Sequence, residues 1–356
     1  MPYSAISLYL CRELQVCREL QARLLYHYIT MILDITRHKF SEALITLFLF
    51  VVAAVTVVAI QYFEPAVEVD TYNAPIARLV SSFRISHPVW SVALFAILYL
   101  YAVLRLSRAT VRVDLYPQST LAAISLVAAT LFGSVVSSDY LLLIVVALLI
   151  AEAFGRLLYC FGPSVRPHYL FSAMCAFGAM PLVDSALLPL GVAVPIVVIL
   201  LRLTLRETVL TLLGSALPTF VYCYAMWLSH HSFYDTLLSV WNLSSISLTS
   251  LECYLTPPRL VFIGIVVFLQ LAVTLIYLTS RVTVTRATRD MWRVLMISML
   301  VLIATVALSG ALVSSLVVAI VLLAAVMLPL LLERANAVQT LLIYLLLVLA
   351  SLAVVI

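Results

Sequence analysis

Charge is the scarcest resource in this sequence. Asp, Glu, Lys and Arg together make up 10% of 356 residues, where a soluble domain carries about 25%. Lysine is almost missing: Lys39 is the only one among the 20 basic residues. The net charge of +4 is spread thinly between apolar stretches. No run of basic residues forms a phosphate-binding face, which argues against a nucleic-acid partner. The six cysteines contain no CxxC pair and no Cys/His ligand spacing, so neither a zinc site nor a disulfide framework is indicated. Cys160, Cys175 and Cys223 lie in or beside apolar segments and read as small core residues. No glycine-rich nucleotide-binding loop is present, which argues against ATP-driven activity. The alternating ten-residue segments of a membrane β-barrel are also missing.

What the sequence has in excess is apolar length. Residues of the set AVILMFWYC make up 65% of the chain, and the mean hydropathy is +1.19. A water-soluble fold of this size could not hide that much apolar surface, so the bilayer must be its solvent. The expected fold is an all-α, polytopic helical membrane protein. Apolar segments fall near 41–62, 89–105, 119–136, 140–155, 168–183, 185–201, 208–228, 260–280, 293–309, 311–332 and 340–356. That gives about eleven transmembrane segments. The pair 168–201 is short and interrupted by Pro181, Pro189 and Pro195 around Asp184. If it is re-entrant, nine full crossings remain, since non-helical backbone at depth is tolerated where protein or a water-filled cavity covers it.

Orientation follows from the basic residues, which accumulate on the cytoplasmic side. With the N-terminus inside, only Arg78, Arg84 and Arg259 fall on the outer side, and the other seventeen of the 20 lie inside. The expectation is N-terminus cytoplasmic and C-terminus extracytoplasmic. Residues 1–40 form a cytoplasmic N-terminal segment, in which Cys11-Arg-Glu-Leu-Gln15 recurs as Cys17-Arg-Glu-Leu-Gln21. Its first 30 residues are expected to be dispensable, or else to precede a true start at Met31. Residues 41–356 form a single transmembrane domain with two substantial outer loops, 61–88 and 229–259.

Those loops hold the candidate chemistry. Glu64, Glu68 and Asp70 form the only acidic cluster of the chain. Three carboxylates this close could bind a divalent cation, and Glu68 or Asp70 could serve as a catalytic base. A solvated acidic loop explains the same residues. Next, Ile76, Leu79, Val80 and Phe83 recur at helical spacing, predicting a helix lying in the outer interface. Arg78 and Arg84 can reach outward from it, either to a lipid phosphate, which guanidinium matches with paired hydrogen bonds, or simply to water. In the second loop His230, His231 and Asp235 could supply a base or metal ligands, with the two histidines as substrate contacts, although adjacent histidines make a poor chelating pair and ordinary surface histidines explain them too. Asp184 is either a substrate-binding carboxylate inside the membrane or a turn residue at the water boundary. Glu152 and Arg156, four residues apart, are expected to pair along one helix. Glu207 is expected in the first turn of a helix, where the macrodipole favours an anion.

Two resemblances add to this reading. An acidic residue after the first span, then Asn73-Ala-Pro75-Ile and an interfacial helix, resembles the first outer loop of GT-C-type glycosyltransferases. That resemblance implies a polyprenyl-phosphate-sugar donor, with Glu68 or Asp70 as the catalytic or metal-binding acid, and Arg78 or Arg84 near the carrier phosphate. Separately, the run from Arg202 through Arg206-Glu207 to Gly214 and Pro218 resembles the Arg-x-x-x-Arg-Glu and Gly-x-x-x-Pro signature of a polytopic inner-membrane protein family of Bacteroidetes. It implies a similar membrane fold and no particular activity. Together these give an expected bacterial inner-membrane protein that handles a lipid-linked substrate at its outer face in cell-envelope glycan assembly. A non-catalytic scaffold subunit bound to envelope-assembly proteins is the competing class, and a transporter or flippase ranks below both.

Overall fold

The computed structural model describes residues 39–63, 74–112, 120–161, 167–202, 204–241, 256–279, 286–309 and 313–354. Among these residues the chain is helical throughout, with no strand. The helices are α1 (Lys39–Phe63), α2 (Pro75–Ser86), α3 (Pro88–Arg112), α4 (Thr120–Val135), α5 (Tyr140–Cys160), α6 (Pro167–Val183) and α7 (Leu188–Arg202). They continue as α8 (Leu205–Leu228), α9 (Phe233–Trp241), α10 (Pro257–Thr279), α11 (Arg286–Ser309), α12 (Ser314–Met327), α13 (Pro329–Arg334) and α14 (Ala337–Ala353). The described parts of all eleven apolar segments read from the sequence are largely helical. Among the described residues, seven regions are long and apolar enough to cross a membrane: Leu44–Phe63, Pro88–Ala109, Tyr140–Cys160, Leu205–Leu228, Pro257–Thr279, Arg289–Leu308 and Ser314–Leu332. Ala123–Val135, Ser185–Leu200 and Val338–Ala353 are apolar but shorter.

Burial divides the spans into centre and rim. The window of Ser314–Leu332 is 83% buried and that of Tyr140–Cys160 is 72% buried, against 22% for Leu44–Phe63 and for Leu205–Leu228. In lipid an apolar face need not be buried, so hydrophobicity does not sort the helices; close van der Waals packing and hydroxyl groups do. The central helices carry Ser314, Ser315, Ala319, Ala324 and Ala325 on α12 and Ala147, Ala151, Ala153 and Gly155 on α5, all buried. α12 packs against α4, α5, α10 and α11, and α5 packs against α3 and α6.

The segment 168–201 folds as two continuous helices, α6 and α7, joined by the single 3-10 turn Ser185–Leu187. Pro181 and Pro195 sit inside helices without ending them. α6 is clamped against α8 at glycines. A Cβ on Gly178 would lie 2.0 Å from the Ser215 carbonyl oxygen, and one on Gly214 would lie 2.9 Å from both Met174 Cβ and the Phe171 carbonyl oxygen. Backbone meets backbone here, and no side chain fits between them.

The two ends of the bundle differ in chemistry. At the end where α1 finishes and α3 begins, Tyr62, Phe63, Trp90, Trp227, Tyr234 and Trp241 are exposed. At the opposite end the exposed groups include Arg108, Arg206 and Arg289. Aromatic side chains with one polar edge favour the boundary between hydrocarbon and water.

Candidate functional site at the aromatic end

The helix expected over 76–84 is present as α2, and its sequence explains its place. Pro75 presets the first turn, Ala77 faces the bundle, and Arg78 and Leu79 face out. A single network pins it down, and Arg84 is the centre of that network. Arg84 Nε donates to Gln61 Oε1 of α1 at 3.1 Å, and Nη1 donates to the Ser138 carbonyl oxygen in the turn before α5. The Asp139 carboxylate is 4.0 Å away, and the guanidinium lies 5.0 Å from the centre of the Tyr140 ring. The Tyr140 hydroxyl donates to Gln61 Oε1 at 2.7 Å and sits 2.7 Å from the Ser91 hydroxyl of α3. The expected outward reach of Arg84 is therefore corrected: its side chain is only 5% exposed. A buried guanidinium needs several acceptors at once, and the end of α1 with the turn and first residue of α5 supply them.

Arg78 does face outward, over a cavity of about 710 Å³. The walls come from α2, the α6–α7 turn, the end of α8, and α9, and they include Arg78, Leu79, Tyr222, His231, Asp235 and Val240. Further hydroxyls are supplied by Ser82, Ser185, Ser232, Thr236 and Ser239. The size suits a small polar head group, since ligand pockets commonly span about 300–1,000 Å³. One cationic and one anionic side chain, an imidazole and a row of hydroxyls could hydrogen-bond a phosphate or a polyhydroxylated group. The apolar rim would meet a hydrocarbon portion.

The two histidines part company for a backbone reason. α8 ends with the His230 amide donating to the Trp227 carbonyl oxygen and the His231 amide donating to that of Met226, both at 3.1 Å. This is a Schellman ending, which places the residue after the cap in the left-handed region. His230 occupies that position with φ 68°, although it is not glycine. The reversal brings His231 to the cavity wall, while His230 is exposed outside it. Ser232 then caps α9: its hydroxyl accepts from the Asp235 amide at 3.1 Å and donates to the Asp235 carboxylate. The Ser-Phe-Tyr-Asp spacing is a helix-start signal that would have placed Ser232 and Asp235 together from the sequence.

Asp184 lies in the turn between α6 and α7, and the structure gives it a fastening role. Its carboxylate accepts from the Ala186 amide at 2.9 Å and from the Ser315 hydroxyl of α12. Burial pushes the carboxyl up from its usual range, against the opposing pull of those two donors. Its neighbours Pro181 and Ser185 line the cavity, so Asp184 fixes one wall without itself facing the space. Glu64, Glu68 and Asp70, predicted as catalytic or metal-binding acids, lie outside the described residues. Among the described residues no group of three or more His, Cys, Asp or Glu side chains could hold a metal ion.

The structure joins two sites far apart in the sequence, since Arg78 of the first loop and His231 and Asp235 of the second share one cavity. It adds Tyr222, Ser185 and Ser239, which no sequence motif marked. No family model, no curated protein and no solved structure matches the chain.

Proposed function

We propose that this protein is a multi-pass membrane protein that handles a lipid-linked substrate at its extracytoplasmic face. The polar head enters the cavity under α2, and the lipid chain lies along the apolar helix faces beside it. The observation that carries this reading is the meeting of Arg78, His231 and Asp235, from two loops, in one cavity at the aromatic end. Exposed Leu79 and Trp227 at the same end offer the hydrocarbon contact that a free sugar or ion would not need. The arginines exposed at the opposite end fit a cytoplasmic face there. They favour a topology with the N-terminus inside, and our reading adds about eleven crossings of a bacterial inner membrane.

Within this reading the chemistry is glycosyl transfer from a polyprenyl-phosphate carrier, with Glu68 or Asp70 as base or as ligand of a divalent cation. Asp70 precedes the cavity residue Ala74 by four positions, a tether of at most about 14 Å. Arg78 would face the carrier phosphate, and the hydroxyls of α9 the sugar. The test is the double substitution Glu68→Ala and Asp70→Ala in a protein that still accumulates in the membrane. The expected result is loss of one class of cell-envelope glycan. Unchanged glycans would overturn the catalytic reading, and stable co-purification of envelope-assembly proteins with that variant would favour a scaffold.

A further inference from the structure

A second polar site lies at the other end of the bundle, and the substrate cavity plays no part in it. Glu152 of α5 is shared by two guanidiniums. Arg156 of the same helix pairs with one carboxylate oxygen, as the i, i+4 spacing predicted, and Arg105 of α3 lies 3.2 Å from the other. The Tyr101 hydroxyl donates to the same carboxylate. Arg108, one turn beyond Arg105, is exposed. On the far side the Arg105 guanidinium lies 5.8 Å from the centre of the Tyr159 ring. The Tyr159 hydroxyl is buried and has no hydrogen-bond partner among the described residues.

The balance of charge in this cluster is positive. The Glu152 carboxylate is shared by Arg105 and Arg156, and Glu207 of α8 is occupied in accepting from the Thr204 amide at 2.9 Å. The depth is also informative. Glu152 and Arg156 precede the end of α5 at Cys160 by eight and four residues, about 12 and 6 Å along the helix axis. A helix end at the membrane surface would put Arg156 near the ester and phosphate level and Glu152 deeper, toward hydrocarbon. Arg105 and Arg156 side chains remain 22% and 36% exposed there. Uncompensated guanidinium at such a depth is costly unless an anion reaches it. A carboxylate held between two arginines also fixes their planes, and so presents N–H groups in a fork that matches phosphate oxygens.

We propose that the arginine cluster shared by α3 and α5 is a binding site for the phosphate of an anionic phospholipid, in the leaflet opposite the substrate cavity. Arg156 and Arg105 contact the phosphodiester, Arg108 faces the outer part of the head group, and the Tyr159 hydroxyl supplies a further donor. Glu152 orients the guanidiniums and at the same time competes with the lipid for them. A merely structural ion cluster would not behave in this way.

The test uses the full chain in detergent, titrated with phosphatidylglycerol or with phosphatidylcholine of the same acyl chains, bound lipid being counted by native mass spectrometry. Phosphatidylglycerol is expected to bind at least ten-fold more tightly. Arg156→Gln should weaken it about ten-fold, the equivalent of one lost charge-assisted hydrogen bond. Glu152→Gln should strengthen it, because a competing anion is gone. A photoactivatable phosphatidylglycerol should label peptides holding Tyr101–Arg108 and Glu152–Tyr159 in the unaltered protein. Equal affinity for the two lipids, labelling elsewhere, or weaker binding by Glu152→Gln would each overturn the proposal. Should Arg156→Gln fail to accumulate, the photolabel on the unaltered chain decides alone.

Discussion

Replacing Arg84 by alanine tests how the cavity is held together. The side chain makes two hydrogen bonds from a charged donor, to Gln61 and to the Ser138 carbonyl oxygen, and stacks over Tyr140. A hydrogen bond to a charged group contributes about 1.5–3 kcal/mol, and a desolvated cation–π contact adds about 1–2 kcal/mol. Against that stands the desolvation of a guanidinium that alanine no longer requires. The net loss should be about 2–4 kcal/mol, confined to the docking of α2 on the ends of α1, α3 and α5. Because α2 forms one wall of the cavity, this variant should lose ligand retention as well as stability. Arg84→Lys should fall between, since an ammonium keeps the charge but cannot reach both acceptors with the same planar fork. The assay is the temperature at which the purified protein loses its monodisperse peak in size-exclusion chromatography. Large membrane proteins unfold irreversibly, so heating times must be matched. A drop on the order of 5 °C is expected for Arg84→Ala. Variants that all melt with the native protein would refute the argument that Arg84 fastens this end of the bundle.

Two further outcomes follow from local geometry. Gly178→Ala should destabilise by about 1–3 kcal/mol, because its methyl group would overlap the Ser215 carbonyl oxygen and force α6 and α8 apart. Gly264→Ala, with nothing within 4 Å of the new methyl group, should be neutral or stabilising by up to about 1 kcal/mol in the same melting assay. At the end of α8, His230→Gly should raise the melting temperature slightly by relieving a left-handed backbone, worth about 1 kcal/mol. His231→Ala should leave melting unchanged and weaken retention of a lipid-linked ligand. Equal effects of the two histidine substitutions on retention would contradict the division drawn between them.

The interfacial helix shows how much of the site could be read in advance. Its periodicity placed α2 correctly, because a stripe of apolar residues at helical spacing is a local property of the chain. The same stripe gave no way to tell Arg78 from Arg84. Six residues apart on a short helix, both looked free to reach water, and only the positions of Gln61, Ser138 and Tyr140 send Arg84 inward. Asp184 was open between a pocket carboxylate and a turn residue until Ser315, 131 residues away, supplied its partner. Glu152 and Arg156 were foreseen as a pair, being neighbours on one helix face, but Arg105 was not, because it arrives from another helix.

The sequence by itself determined the solvent of this protein, its helical class and the positions of its apolar segments, because each depends on composition and spacing within a single stretch of chain. It also determined the helix starts at Thr204 and Ser232, where side chains reach their own backbone. Only the tertiary structure decided which helices are central and which face lipid. In a bilayer an apolar surface is equally content against either, and the choice passes to small residues that let backbones approach. The tertiary structure also decided which polar groups share a cavity. Arg78 and His231 are 153 residues apart, and only the packing of α2, α6, α8 and α9 brings them to one wall.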